Sequence, residues 1–175
     1  MLVLRDMIES DIVDYVRWFT KEIEWGKWDS PWEAFKSSEA EELKFWTEYY
    51  DSVKNMPDDA VRKKYEIVLD GLHIGWICSY INLGYIENKE SILAIGLDIP
   101  EKQHRKKGYG SEAFQMYIDY LRKHGYKSFY TQTWSGNLAM IKVAEKLGFK
   151  EVCRKENYRK VNGKMYDAIT WRLDY

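Results

Sequence analysis

Residues 105–113 read Arg105-Lys106-Lys107-Gly108-Tyr109-Gly110-Ser111-Glu112-Ala113, and what flanks them decides the fold. Upstream, Ser91 to Ile99 reads as a strand halted at Pro100. Downstream, Tyr109 to His124 carries Ala113, Met116, Tyr117, Tyr120 and Leu121 on one stripe, which predicts a helix stopped by Gly125. Glycines at 108 and 110 between strand and helix let the backbone bend so that successive N–H groups face one concavity. With the positive end of the helix dipole added, that concavity suits an anion such as a diphosphate. Arg105, Lys106 and Lys107 supply a longer-range attraction. Two other phosphate-binding readings fail on spacing. A dinucleotide fingerprint needs the strand to run straight into the first glycine and an acid after the next strand; eight residues intervene after Ile99, and Lys127 to Trp134 ends in no acid. No Gly-Lys-Ser/Thr follows the glycines, so a Walker loop is excluded as well.

Working outward, Leu2 to Arg5 reads as a strand and Asp11 to Thr20 as a helix, with Ile12, Tyr15, Val16 and Phe19 at helical spacing. Residues 21–37 hold Trp25, Gly26, Trp28, Pro31 and Trp32 without a steady period, which predicts an irregular aromatic connection. Ser38-Glu39-Ala40-Glu41 opens a second helix with a capping-box pattern, running to about Lys54 before Pro57. Lys64 to Leu69 and Leu72 to Ile81 flank Asp70-Gly71; Phe149 to Lys160 and Lys164 to Leu173 flank Asn162-Gly163. Both dipeptides suit two-residue hairpin turns. Lys127 to Trp134 alternates like a strand, and Asn137 to Leu147 is a shorter helix ended by Gly148. The order β-α-α-β-β-β-α-β-α-β-β predicts mixed α/β (α+β) architecture around one mostly antiparallel sheet. The strands flanking the 109–124 helix should be parallel neighbours joined by a right-handed crossover.

Composition narrows the function classes. The 175 residues match the size of one domain. Lys plus Arg number 27 and Asp plus Glu 28, so the basic surplus of a nucleic-acid binder is missing. No apolar run is long enough for a bilayer, and Met1 to Asp6 lacks a signal-peptide pattern, which predicts a cytoplasmic chain. Cys78 and Cys153 show no metal-ligand spacing and read as reduced, buried structural thiols. His73, His104 and His124 pair with no second ligand at helical spacing, so no metal is expected. Charge is polarised all the same: residues 1–60 hold 7 basic and 15 acidic side chains, residues 101–164 hold 15 and 6. That suits an anion site in one part and a cation site in another, or two solvated surfaces that differ in composition.

Residues 91–175 resemble the GNAT superfamily of acetyl-CoA-dependent N-acetyltransferases. Arg105, Gly108 and Gly110 match the family's Arg/Gln-x-x-Gly-x-Gly/Ala loop, which holds the coenzyme A pyrophosphate. Asn137 and Leu147-Gly148-Phe149 supply both ends of a second family segment at the expected separation. Val143 to Phe149 is similar to the branch containing ribosomal-protein N-terminal and spermidine acetyltransferases. The resemblance implies a GNAT-like sheet of about seven strands with about four helices, splayed at the acetyl-CoA site. It implies one N-acetyltransferase domain over residues 1–175, with 1–60 on the acceptor side and 61–175 forming the sheet and coenzyme core. Lys106, Lys107, Tyr109 and Ser111 would join Arg105, Gly108 and Gly110 around the diphosphate. Backbone groups of Leu97, Asp98 and Ile99 would pair with pantetheine like an added strand, one N–H polarising the thioester carbonyl. Asn137 would contact the coenzyme, although it serves equally as a helix N-cap. A homodimer is expected from family habit; no stretch of sequence locates an interface.

One departure bears on mechanism. Ala144 stands where many members place a Tyr that protonates the departing thiolate, a feature that would also suit a non-catalytic coenzyme A sensor of the same fold. Coenzyme A is a reasonable leaving group without that acid, since its thiol titrates like Cys near ~8.5. The acceptor amine must also lose a proton. For a lysine-like amine of pKa about 10.4 this costs on the order of 4–5 kcal/mol at pH 7, against about 1 kcal/mol for an α-amine. Asp98 is the nearest carboxylate to serve as base, with Glu87 and Glu90 just upstream; each reads more readily as a surface or sheet-edge acid. Trp18, Trp25, Trp28 and Trp32 are interspersed with Glu22, Glu24, Asp29 and Glu33, a mixture suited to an ammonium or polyamine acceptor or to burying the connection between two helices. Small-molecule or peptide amines are therefore the expected partners, with no nucleic acid and no membrane.

Overall fold

The computed structural model describes residues 1–33, 35–81 and 92–175. Among these the chain forms β1 (Leu2–Arg5), α1 (Asp11–Thr20), α2 (Gly26–Asp29), α3 (Glu39–Val53), β2 (Lys64–Leu69), β3 (Leu72–Tyr80), β4 (Ala94–Asp98), α4 (Tyr109–Lys123), β5 (Ser128–Trp134), α5 (Leu138–Lys146), β6 (Lys150–Val161) and β7 (Lys164–Asp174). Local chemistry explains most boundaries. Asp70-Gly71 and Asn162-Gly163 all take positive φ, the backbone of a two-residue hairpin turn. Ser38 accepts from the Glu41 N–H while the Glu41 carboxylate accepts from the Ser38 N–H at 2.8 Å, a complete capping box. Ser91, expected to begin β4, lies outside the described residues.

The strands form one sheet in the order β1-β2-β3-β4-β5-β7-β6. Every neighbouring pair is antiparallel except β4 and β5, which α4 joins. That parallel pair is short. It registers only at Ala94 with Tyr130, where the Tyr130 N–H reaches the Leu93 carbonyl at 2.9 Å. From Ile95 to Asp98, β4 keeps β3 on one side and parts from β5 on the other.

Each face of the sheet has its own core. On one, Phe114, Tyr117, Ile118 and Leu121 of α4 pack with Ala144 of α5 against Ile67, Ile77, Ile95, Phe129 and Ile169. On the other, Tyr15 and Trp18 of α1 and Trp46 of α3 close over Trp76, with Tyr15 and Trp46 stacked at 3.8 Å. Burying each such side chain contributes about 1.5–3 kcal/mol. Gly75 is required by close approach: a Cβ there would collide with the Asp98 carbonyl oxygen of the neighbouring strand. The connection expected to be irregular is partly ordered, by a 3-10 turn at Ile23–Trp25 and then α2. Burial explains it, since Trp25 sits in the second core with its Nε1 donating to the Trp18 carbonyl at 2.9 Å.

Candidate active site

After β4 the chain passes Pro100 and a 3-10 turn at Lys102–His104, then bends into α4. The bend rests on Lys106 (φ 59°) and Gly108 (φ 94°). Gly108 fits because it lacks a Cβ; Lys106 adopts a region uncommon for its type. Gly110 was expected to share the bend and does not. It lies within the first turn of the helix, where a Cβ would rest 3.5 Å from Leu97 Cδ1, an ordinary contact. The first bond of α4 runs from the Glu112 N–H to the Gly108 carbonyl at 3.1 Å. The N–H groups of Tyr109, Gly110 and Ser111 therefore open the helix with no carbonyl one turn back, and no side chain caps them. Lys106 and Lys107 are exposed beside them; Tyr109 packs partly into the core.

Arg105 is placed differently from its neighbours. Its Nε donates to the Ile99 carbonyl at 2.8 Å, Nη1 to Glu24 at 2.8 Å, and Nη2 to the Pro100 carbonyl. The planar fork fastens the end of β4 and Glu24 of the 3-10 turn before α2 at once. Burial alone would raise the Glu24 carboxyl, but the hydrogen bond and charge of Arg105 outweigh it and hold the carboxyl below its usual range.

Along β4, Leu97 and Ile99 turn towards the α4 core. Asp98 pairs with Trp76 and Gly96 with Cys78, which puts Asp98 on the α1–α3 face. Burial, then the charge of Asp29, push the Asp98 carboxyl well above its ordinary value, against the opposing pull of Arg105. Asp29 stays exposed as a residue, yet partial desolvation of its carboxyl raises it, the Ser30 hydrogen bond opposing this and the Glu33 charge adding to it. Trp134, at the end of β5, brings α2 there: its Nε1 donates to the Trp28 carbonyl at 2.8 Å. Sequence reasoning named both aspartates but not the influence of one on the other, because 69 positions separate them. Glu87 and Glu90 lie outside the described residues.

The other expectations divide. Asn137 caps α5, its Oδ1 accepting from the Met140 N–H at 3.1 Å. Ala144 is fully buried in the core and offers no hydroxyl. Trp18 and Trp25 are core residues, whereas Trp28 and Trp32 stay 44% and 37% exposed near Trp134. Cys78 and Cys153 are free and only half-buried; burial pushes the Cys78 thiol up to about 12. No helix among the described residues is long and apolar enough to cross a membrane.

Helical spacing gave no hint that Asp11, Asp14 and His73 would present ligand atoms within 4.8 Å of one another. The group carries its own cations. Arg5 grips Asp11 through two bonds of 2.6 and 2.7 Å. His73 bridges Asp14 at 3.1 Å and Glu66 at 3.0 Å. Burial would lower His73, but those hydrogen bonds and the charges of Glu66 and Asp11 outweigh it and hold the imidazole at about 9.

Residues 1–150 match the family profile described as an acetyltransferase (GNAT) domain. A search of curated proteins found no match. Among solved structures the chain is similar to RimL, a ribosomal L7/L12 alpha-N-protein acetyltransferase in complex with coenzyme A. That similarity has TM-score 0.74 and 18% identity, over 99% of this chain and 93% of that one. A GNAT-family acetyltransferase from Bacillus anthracis gives 0.72 and 19%, over 99% and 94%. The yncA protein of Salmonella typhimurium, solved with its cofactor acetyl-CoA, gives 0.68 and 15%, over 99% and 94%.

Proposed function

This chain belongs to the GNAT acetyltransferase family, and from that premise we propose that it transfers the acetyl group of acetyl-CoA to an amine by direct attack in a ternary complex. The observation that carries the proposal is the junction of an uncapped helix N-terminus with an open strand edge. The N–H groups that open α4 have no side-chain cap, and β4 parts from β5 just upstream of them. The amides of Lys106 to Ser111 fit a diphosphate, with the ammonium groups of Lys106 and Lys107 adding charge. The backbone of Leu97, Asp98 and Ile99 fits an extended amide-bearing arm laid along the sheet. Arg105 contributes by holding the loop in this shape, and Asn137 borders the end of β5 where the arm leaves. Bound there, acetyl-CoA supplies an activated acyl thioester, and residues 1–175 act as one unit with 1–60 facing the acceptor.

Asp98 is the base in this reading. A carboxyl raised above the usual range accepts a proton closer to working pH. Asp29 beside it favours a cationic amine, so an acceptor ammonium would meet two carboxyls and the exposed Trp28 ring. Polyamines, aminoglycosides and protein or peptide amines all meet that description. The RimL similarity supports including peptide N-termini among them. Ala144 leaves the thiolate to depart unassisted, which its low basicity allows.

The test has two stages. Calorimetry with acetyl-CoA should show one site per chain. Incubation with polyamines, aminoglycosides and peptides should then release free thiol above background hydrolysis for one class. Absence of acetyl-CoA binding would sink the proposal; binding without release to any amine would leave a coenzyme-holding protein.

A further inference from the structure

The acceptor-side segment 23–29 is fastened at three points. Trp25 Nε1 holds the Trp18 carbonyl on α1, and Trp134 Nε1 holds the Trp28 carbonyl at the end of β5. The third fastening leads elsewhere. Glu24 accepts from Arg105 Nη1 at 2.8 Å, and Arg105 immediately precedes Lys106, the first positive-φ residue of the coenzyme loop. A parallel bridge sits close by: Arg17 of α1 reaches Glu101 at 2.7 Å and also holds Asp14 and Glu22, at 2.8 and 2.6 Å. With Lys102 Nζ also 3.8 Å from Glu24, three ion pairs cross from the acceptor side to the stretch between β4 and α4.

Each nitrogen of Arg105 is already engaged, Nε and Nη2 on the Ile99 and Pro100 carbonyls and Nη1 on Glu24, so three of its five N–H groups are spent and the plane of the fork is fixed by them. Turning the side chain towards a phosphate would strip the end of β4 of two donors and leave the half-buried Glu24 carboxylate only the exposed Lys102 ammonium at 3.8 Å. A lysine could not replace it, since one ammonium lacks the planar fork that meets all three. The pair is therefore built to stay closed when coenzyme arrives.

We propose that the Glu24–Arg105 ion pair is the positioning link between the two substrate subsites, holding segment 23–29 against the coenzyme loop so that ordering of the loop is transmitted to Asp29. This rests on the coenzyme reading of residues 106–111. Glu24 acts through Arg105 and touches neither substrate. Ordering of the loop by coenzyme then also reduces the motion of segment 23–29, and the acceptor meets carboxyls already in place.

Amide hydrogen exchange on the full chain, with and without coenzyme A, tests the link. In the wild-type protein coenzyme A should slow exchange at least fivefold in 106–111 and also in 23–29. In Glu24→Gln the 106–111 effect should remain while the 23–29 effect falls below twofold, and Glu24→Asp should restore part of it. A purely structural Glu24 would speed exchange in 23–29 equally with and without coenzyme; an unchanged ratio overturns the proposal. So does faster exchange in 23–29 on binding, the sign of Arg105 abandoning Glu24. Failure of coenzyme A to protect 106–111 in the wild type would overturn the coenzyme reading itself, and the link with it.

Discussion

Trp134 Nε1 donates to the carbonyl oxygen of Trp28 at 2.8 Å, joining the last residue of β5 to α2. Trp134→Phe keeps an aromatic ring against Tyr166 but removes the donor, leaving the Trp28 carbonyl unmatched. Urea unfolding should show a loss of about 1 kcal/mol. Freed from that anchor, Asp29 should press less on Asp98, so the pH midpoint of acetyl transfer should move down. A stability loss with the midpoint unmoved would separate α2 from the base.

Gly108 and Gly110 should respond differently to the same substitution. At φ 94° a side chain on Gly108 is strained, whereas Gly110 has room for a methyl group. Gly108→Ala should lower coenzyme A affinity about tenfold with the far-ultraviolet spectrum retained. Gly110→Ala should stay within threefold of wild type. Calorimetric titration of both variants decides it, and equal losses would mean that the bend is not what selects the diphosphate.

What could be read from the sequence was what neighbours decide. Asp70-Gly71 and Asn162-Gly163 needed only adjacent residues able to take positive φ, and Ser38 with Glu41 needed only a three-residue reach. The strand–loop–helix order around Gly108 was legible for the same reason. Lys106 carries no mark of its left-handed backbone, because a lysine is not selected for one. The bond of Arg105 to Glu24, 81 residues away, has no local mark beside the phosphate-ligand reading that its neighbours suggest. Trp25 and Trp28 read alike in an aperiodic segment; burial alone tells core from surface. Long-range electrostatics, as at Asp29 with Asp98, leave no local pattern.

His73 should make stability fall on the alkaline side. Its folded pKa of about 9 lies above the unfolded value of 6.5, so the contribution is complete below pH 6.5 and lost as pH rises through 9. The shift corresponds to about 3 kcal/mol. Urea midpoints measured from pH 6 to 9.5 should decline over that window. In His73→Gln, which retains hydrogen-bonding capacity without the titration, the slope should flatten. A wild-type profile flat from 6.5 to 9 would show that the imidazole is not held charged between Asp14 and Glu66.

Asp98→Asn isolates proton removal from binding. The substitution keeps the size of the side chain on β4 and takes away the proton acceptor, while the loop amides at 106–111 are untouched. Acetyl transfer should fall by about 100-fold or more, within the range for loss of a general base, and coenzyme A affinity should change less than threefold. The sign of the pH effect follows from the base being active only when ionised. Because burial and Asp29 raise the carboxyl, the wild-type rate should climb with pH through that elevated pKa. In the variant that limb should vanish, leaving only the ionisation of the amine itself. Amines that are already weak bases should lose least, since less of their barrier is deprotonation. A variant that keeps the wild-type limb would move the base to another residue and leave Asp98 with the attraction of the acceptor's positive charge.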